Sequence, residues 1–130
     1  TEEIKLVDLP GYGFSKMSKT EQREWRNLIF HYISSRQNLR TILLLIDARR
    51  ELTKEDNKMI EFFESQGLGW TCVITKADKI KKSEVSSKMT NLKNALKNKI
   101  TLYPHLFCTS SEKKTGLEEL RAYIAMFAKN

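Results

Sequence analysis

Polar residues follow three apolar, strand-like segments of this chain. Asp8 follows the first segment, Thr75-Lys76-Ala77-Asp78 the second, and Thr109-Ser110-Ser111 the third. Carboxylates accept hydrogen bonds from the edges of planar bases, and backbone N–H groups in turns bind phosphate oxygens. These residue types are therefore suited to the binding of a nucleotide.

Asp8 and Gly11 are candidates for contact with a phosphate and its metal ion. A carboxylate at a strand end can hold Mg²⁺ directly or through water. Gly11 allows the backbone to approach a phosphate closely enough to donate its N–H. A plain strand followed by a Pro-Gly turn explains the same residues equally well, so this pattern alone leaves both interpretations open.

Asp78 has the chemistry to select guanine. Its carboxylate can accept hydrogen bonds from the ring N–H and the amino group of guanine, whereas adenine lacks this pair of donors and would leave buried polar groups unpaired. The aliphatic stem of Lys76 can lie over the flat base. In the cluster at residues 109–111, backbone N–H groups can bind the guanine oxygen and a hydroxyl can brace the loop.

Strand and helix patterns alternate along the chain. Buried strands are predicted at residues 4–7, 41–46, 70–75 and 106–109. Helices are predicted at 18–36, 53–66, 83–98 and from 115 onward, and Ser18/Glu21 and Thr115/Glu118 have the spacing of capping boxes. This order predicts an α/β fold with a mostly parallel sheet, helices on both faces, and ligands at the carboxyl ends of the strands.

Composition indicates one compact domain over residues 1–130. The chain is 40% hydrophobic and 30% charged, and its longest apolar run, residues 42–46, is too short for a membrane span. Cys72 and Cys108 lie in apolar segments and are expected to be reduced core residues. The polar, partly acidic residues at its start do not form a signal peptide. Because the chain begins with Thr1 and not with an initiator Met, we expect it to start inside a longer polypeptide.

A net charge of +7 favours an acidic partner, of which nucleic acid is the commonest. The basic residues include a concentration of lysines at positions 76, 79, 81, 82, 88, 93, 97 and 99. A solvated, lysine-coated helix would have the same composition. The charge alone leaves RNA binding and a generic basic surface as alternatives.

The ordered motifs Asp-x-x-Gly, Thr-Lys-x-Asp and Ser-Ser resemble a translation-factor-type GTPase domain of the P-loop NTPase fold. Residues 6–13, 75–79 and 110–116 resemble the EngB (YihA/YsxC) family of ribosome-biogenesis GTP-binding proteins. The resemblance covers essentially all 130 residues and includes the tract Trp25, Tyr32, Ile33 and Arg36, followed by Asp47-Ala48-Arg49.

The resemblance implies GTP or GDP and Mg²⁺ as ligands. Asp8 would serve Mg²⁺ through water, the Gly11 N–H would sense the γ-phosphate, and residues 10–18 would form the second switch. Tyr12 stands where many relatives carry a water-orienting Gln, so intrinsic hydrolysis would be slow and would depend on a partner or a monovalent cation.

For the base, the resemblance implies that Asp78 reads guanine with support from Thr75 and Lys76. The loop at Ser110 and Ser111 would bind the guanine oxygen through its backbone. The implied partners are the ribosomal large subunit and its rRNA, with an associated role in cell division. The implied compartment is the cytoplasm of a bacterium, or a mitochondrion or plastid of a eukaryote.

The chain departs from this family in one motif. No Gly-x-x-x-x-Gly-Lys-Ser/Thr sequence occurs in the 130 residues. We therefore expect the chain alone to bind nucleotide weakly and not to hydrolyse GTP. In the family a further strand would lie between the strands at 4–7 and 41–46, so we also expect a complementing N-terminal piece, self-association through a swapped dimer, or rearranged strand pairing.

Two alternative functions stay open at this point. The first is a non-catalytic docking module with a degenerate GTPase fold that binds RNA or protein, which the missing phosphate loop favours. The second is another GTPase of the same superfamily, similar to Era or EngA, against which Tyr12 and the Asp47-Ala48-Arg49 tract argue.

Overall fold

Helices and strands alternate through the part of the chain that the structure, a computed structural model, describes: residues 4–8 and 18–128. Their order is α1 (Lys19–Ser35), β1 (Ile42–Asp47), α2 (Lys54–Ser65), β2 (Trp70–Thr75), α3 (Lys82–Ala95), β3 (Phe107–Cys108) and α4 (Leu117–Ala125). Short 3₁₀ helices lie at Ala77–Lys79 and Met126–Ala128. The predicted α/β alternation is confirmed from α1 onward.

The strands form one parallel sheet with the order β1-β2-β3. Asp47 is opposite Thr75 at the ends of β1 and β2, and Ile74 is opposite Cys108 in β2 and β3. The carboxyl ends of all three strands therefore meet at one edge of the sheet.

Alternate side chains of the strands enter two separate cores, because successive residues of a strand point to opposite faces. On one face Leu44, Ile46, Cys72 and Ile74 pack with buried residues of α1, α2 and α3. On the other face Val73 and Phe107 pack with α4 side chains. The predicted arrangement of a parallel sheet with helices on both faces is thus observed, and Cys72 is a buried, free cysteine as expected.

The first two helices begin where the sequence predicts. The Ser18 hydroxyl accepts the Glu21 backbone N–H at 3.1 Å at the start of α1. Thr53 and Asp56 form a reciprocal capping box at the start of α2. These bonds satisfy N–H groups that have no partner inside a helix, and so they fix the first turn.

The predicted capping box at Thr115 is wrong. The N-cap of α4 is Gly116, and Thr115 instead exchanges backbone hydrogen bonds with Ser110 at 3.1 Å each. Gly116 has a φ of +72°, and a Cβ there would lie 2.1 Å from the Cys108 carbonyl oxygen. The close approach of the β3 end to α4 therefore requires glycine at 116 and takes Thr115 out of the capping position.

The predicted strand at residues 4–7 is also wrong. These residues belong to no strand, and Leu6 and Val7 are 74% and 53% exposed. A strand needs a neighbour to satisfy its backbone groups. Among the described residues, β1 is an edge strand that pairs only with β2, and its Leu45 is 56% exposed. Residues 4–7 do not pair with it. Self-association through these segments stays a prediction.

In the described ranges, no helix combines the length and apolar character that crossing a bilayer requires.

Glu64, at the C-terminal end of α2, joins β2 to the segment after α3. Its carboxylate accepts the Trp70 Nε1–H at 2.8 Å, the Ile100 N–H at 2.6 Å and the Thr101 N–H at 2.9 Å, and it also accepts the Thr101 hydroxyl. Partial burial acts to raise the pKa of Glu64, but the hydrogen bonds from Thr101, Trp70 and Ile100 outweigh it and lower the pKa to about 2.

Replacing Glu64 with Gln is expected to lower the free energy of unfolding by about 1–3 kcal/mol at neutral pH, because an amide cannot accept all of the converging donors. The folded-state pKa lies below the ordinary value of 4.5, so this stability is present above that value and is lost as the pH falls through about 2. Denaturant titrations at neutral pH and near the lower pKa measure both effects.

Glu61→Gln is the matched control, since Glu61 is an exposed residue of the same helix. It should change the unfolding free energy little. Equal losses in the two variants would show that Glu64 has no special structural role.

Candidate nucleotide-binding site

Three loops lie side by side at the carboxyl edge of the sheet, each following one strand. The first covers residues 47–49 and begins at the last residue of β1, the second covers residues 75–79 and begins at the last residue of β2, and the third covers residues 109–115 after β3. The sequence-predicted residues Thr75, Lys76, Asp78, Ser110 and Ser111 all belong to the second and third loops. The parallel register thus brings these five residues to the same edge.

Backbone hydrogen bonds tie the loops to one another. The Ala48 N–H donates to the Thr75 carbonyl at 2.8 Å, and the Ala77 N–H donates to the Thr109 carbonyl at 3.1 Å. The Thr109 N–H and hydroxyl both donate to the Ile74 carbonyl, at 2.7 and 3.1 Å. The loop after β2 is consequently held from both sides.

A short hydrogen bond between Ser110 and Asp78 joins the third loop to the second. The Ser110 hydroxyl donates to Asp78 Oδ1 at 2.6 Å and accepts the Lys113 N–H at 3.0 Å. Ser110 is 1% exposed, and the Asp78 side chain is 8% exposed. The Ser110 hydrogen bond lowers the pKa of Asp78, so the carboxylate is charged at neutral pH.

Lys79 lies beside the hydrogen bond between Asp78 and Ser110, between the carboxylates of Asp78 and Glu112. Its Nζ is 3.6 Å from Asp78 Oδ2 and 3.1 Å from Glu112 Oε2. The Glu112 hydrogen bond raises the pKa of Lys79, with a further contribution from Asp78. This arrangement links the loop after β2 to the loop after β3 through a charged bridge.

Lys76 has an unusual backbone for a residue with a side chain. Its φ and ψ are 57° and 39°, in the left-handed region, where L-residues other than Gly, Asn and Asp are uncommon. Such conformations persist when the surrounding contacts hold them, and they are frequent at functional sites. The Lys76 side chain is 61% exposed and is therefore available to a ligand. The neighbouring Thr75 hydroxyl points inward and donates to the Ile46 carbonyl at 3.5 Å.

Asp47, at the end of β1, belongs to the same cluster. Its carboxylate accepts the Arg49 backbone N–H, Nε–H and Nη2–H at 2.9, 3.0 and 2.7 Å, and Lys76 Nζ lies 3.9 Å from its Oδ2. The Arg49 hydrogen bonds hold the pKa of Asp47 well below its usual range.

Two of the predicted site residues are not placed in this cluster. Asp8 is exposed and lies outside any strand, so the structure does not bring it to the sheet edge as a strand-end residue. Gly11, like Tyr12, lies outside the described residues. Within the described ranges no three His, Cys, Asp or Glu side chains come together as a potential metal site.

The sequence patterns do not predict the charged residues around Asp78. Asp47, Arg49 and Glu112 enter the sequence analysis only through the family resemblance, and Lys79 only through that resemblance and the basic lysine run. The position of Asp47 at the carboxyl end of a strand next to β2 was the available signal, because ligand residues of parallel sheets come from neighbouring strand ends.

No family model matches the chain. Its sequence is similar to proteins described as probable GTP-binding protein EngB. The relative from Gluconobacter oxydans is 35% identical over 127 residues, which are 98% of this chain and 56% of that protein. Those from Chelativorans sp. and Hyphomonas neptunium are 40% and 39% identical, over 93% and 97% of this chain and 54% and 58% of those proteins. The chain thus spans just over half the length of these relatives.

Solved structures share the fold. The crystal structure of a probable GTP-binding protein engB superposes with a TM-score of 0.71 at 20% identity, covering 93% of this chain and 76% of that one. The apo translation elongation factor SelB of Methanococcus maripaludis superposes with a TM-score of 0.68 at 20% identity, covering 79% and 23% of the two chains. Both similarities support the three-layer α/β architecture.

Replacing Ser110 with Ala is expected to raise the pKa of Asp78 toward its ordinary value, because the hydroxyl that stabilises the charged form is removed. The pH titration of the Asp78 carboxyl carbon by NMR measures the change. Ser86→Ala, on the exposed surface of α3, is the control. An unchanged Asp78 titration in Ser110→Ala would contradict the assignment of the Ser110 hydroxyl as the main cause.

Proposed function

This chain belongs to the EngB-like GTP-binding protein family along nearly its whole length, and on that premise we propose that it carries the guanine-reading part of a GTPase that acts in assembly of the ribosomal large subunit. The observation that supports the proposal best is the contact of Asp78 with Ser110 at the carboxyl edge of the sheet.

Asp78 is the residue we propose for recognition of the base. One lone pair of Oδ1 is used by the Ser110 hydroxyl, and an ionised carboxylate has further acceptor positions on both oxygens. A ring N–H and an adjacent amino group match such a pair of acceptors, and guanine has both. The lowered pKa keeps the Asp78 carboxylate ionised at neutral pH, so it only accepts hydrogen bonds. The ring nitrogen of adenine is also an acceptor and therefore cannot pair with it.

The residues around Asp78 supply the remaining contacts of the proposed pocket. The exposed stem of Lys76 provides an apolar surface for one face of the base. Ser111 is exposed beside buried Ser110, so its backbone N–H is our candidate donor to the guanine oxygen. Thr75 supports the loop through its hydrogen bond to β1.

The phosphate and magnesium part of the site is less complete in these residues. Mg²⁺ is usually held by one or two carboxylates together with substrate phosphates, and when bound it neutralises phosphate charge. Asp8 is the single candidate carboxylate; it is exposed and lies outside the strands, and no three potential ligands come together among the described residues. The described residues therefore do not by themselves fit a magnesium site. We therefore assign base recognition, and no hydrolytic step, to this part of the sequence.

Similarity to other proteins is consistent with a guanine nucleotide as ligand. The Methanococcus maripaludis SelB that shares this fold has also been crystallised with the GTP analogue GppNHp, and that structure superposes with a TM-score of 0.63 at 20% identity over 80% of this chain and 24% of that one. At this identity the likeness concerns the fold, and the ligand is transferred here only as part of our proposal.

The surface of α3 supports RNA as the partner. What we call the α3 surface consists of Lys82 and Lys93 on α3 and Lys97 in the turn directly after it. All three lysines are exposed, and among the described residues they make no ion pair with a carboxylate. The remaining exposed positions of α3 are mostly hydroxyl and amide residues, with Glu84 as the one acidic residue of the helix. Unpaired cations with neutral hydrogen-bonding neighbours suit a phosphate backbone.

A non-catalytic RNA-docking module is the second candidate function. It is favoured by the same lysines. It differs from the leading proposal in requiring no nucleotide binding, so a nucleotide titration separates the two.

Fluorescent GDP is expected to bind this chain weakly, but more tightly than the matching adenine nucleotide. Asp78→Asn should weaken GDP binding by roughly tenfold to a hundredfold and remove the preference for guanine, since its amide donor faces the donors of the base. Glu61→Gln, an exposed acidic residue away from the loops, is the control. Binding of neither nucleotide by the wild-type chain would favour the docking module.

Neutralising the α3 surface with Lys82→Gln, Lys93→Gln and Lys97→Gln is expected to weaken binding to a large-subunit rRNA fragment and to lower the slope of log K against log salt by about two, as expected for the loss of three contacts to single-stranded phosphates. A filter-binding series at increasing salt measures both quantities.

The control for this experiment removes the same charge elsewhere, through Lys19→Gln, Lys54→Gln and Arg121→Gln at exposed positions of the other three helices. It should leave most of the affinity and slope. Equal losses in the two triple variants would assign the binding to net charge rather than to the α3 surface.

A further inference from the structure

We propose that Asp47 is a positioning residue of the nucleotide site, which acts on the base through Lys76. This inference rests on the proposed guanine binding and adds to it a residue from the neighbouring strand. It concerns the direction of the Lys76 side chain, which the contact of Asp78 with Ser110 does not control.

The two carboxylate oxygens of Asp47 make different contacts. Oδ1 accepts the backbone N–H and the Nε–H of Arg49, at 2.9 and 3.0 Å. Oδ2 accepts Nη2–H of the same guanidinium at 2.7 Å and lies 3.9 Å from Lys76 Nζ. The fork of Arg49 therefore fixes the plane of the carboxylate, and the fixed carboxylate presents Oδ2 to the lysine ammonium.

The strands hold this arrangement in place. Asp47 is opposite Thr75 in the parallel register, and the next residue, Ala48, donates its N–H to the Thr75 carbonyl at 2.8 Å. Lys76 follows immediately with its left-handed backbone, which sets where its Cβ points. With the Cβ fixed by the backbone and the ammonium attracted by Asp47, both ends of the flexible Lys76 stem are restrained.

Restraint of Lys76 has a specific consequence for binding. A stem that is ordered before the ligand arrives loses less conformational entropy when it covers the base. Contact with the flat face of a base does not depend on which base is present, whereas the edge contacts of Asp78 do. Asp47 should therefore contribute to affinity without contributing to the choice of guanine over adenine.

The test is a titration of the wild-type chain and of Asp47→Asn with fluorescent GDP and the matching adenine nucleotide. Loss of one exposed ion pair corresponds to roughly twofold to fivefold weaker binding. We expect both nucleotides to lose this factor, so that the guanine preference stays constant. Asp47→Glu keeps the charge and should recover part of the affinity, and Glu61→Gln should bind as the wild type does.

A double-mutant cycle shows whether Asp47 acts through Lys76. Lys76→Met keeps the stem and removes the ammonium, so in that background Asp47→Asn should cause no further loss. A thermal melt of each variant shows whether the fold is retained. A collapsed guanine preference in Asp47→Asn, or equal losses with and without the Lys76 ammonium, would overturn the inference and give Asp47 a purely structural role.

The outcomes also separate this inference from the function on which it rests. If the wild-type chain binds guanine selectively and Asp47→Asn binds equally tightly, the role of Asp47 is wrong and the proposed function stands. If the wild-type chain binds neither nucleotide, the proposed function fails and the role of Asp47 fails with it.

Discussion

The parallel pairing of β2 with both of its neighbours is the constraint on which the rest of the molecule depends. All residues of β2 from Trp70 to Ile74 are buried, and its ladder fixes the residues that stand opposite one another at the carboxyl edge. A register shift of one residue would reverse the faces of every strand side chain. The two cores on either side of the sheet therefore specify the register, and the register in turn specifies which polar residues meet in the candidate site.

Hydrogen bonds and charges have separate parts in that site. The backbone bonds from Ala48 to Thr75 and from Ala77 to Thr109 set the distances between the loops and are insensitive to pH and salt. The ion pairs of Asp47 and Lys79 are partly exposed, and such pairs contribute little to stability. Instead, these ion pairs orient the long basic side chains of Arg49, Lys76 and Lys79, which would otherwise adopt many rotamers. The stability of the fold comes from other contacts, such as the buried cores and the hydrogen bonds of Glu64.

Sequence patterns were sufficient for the features that depend on local periodicity or on residue order. The buried strands after residue 40, the helix starts at Ser18 and Thr53, and the placement of Asp78 and Ser110 at neighbouring strand ends all follow from such patterns. The patterns failed where the outcome depends on distant backbone. Residues 4–7 have strand-like composition but no strand pairing in the described structure, and Thr115 has capping chemistry but is paired with Ser110.

The role proposed for Asp47 illustrates the same limit at the site. Its contact with Lys76 joins residues that are far apart in sequence, and it exists only because Asp47 and Thr75 share a register position. No spacing rule contains that information. The same geometry is the reason that our proposal for this region concerns base recognition and not phosphate binding. The residues that we propose for base binding lie at the ends of β2 and β3, and backbone hydrogen bonds join the loops at the ends of all three strands. In the proposed function, phosphate binding would need groups beyond these loops, whereas the loops proposed to bind the base are already held to one another by backbone hydrogen bonds.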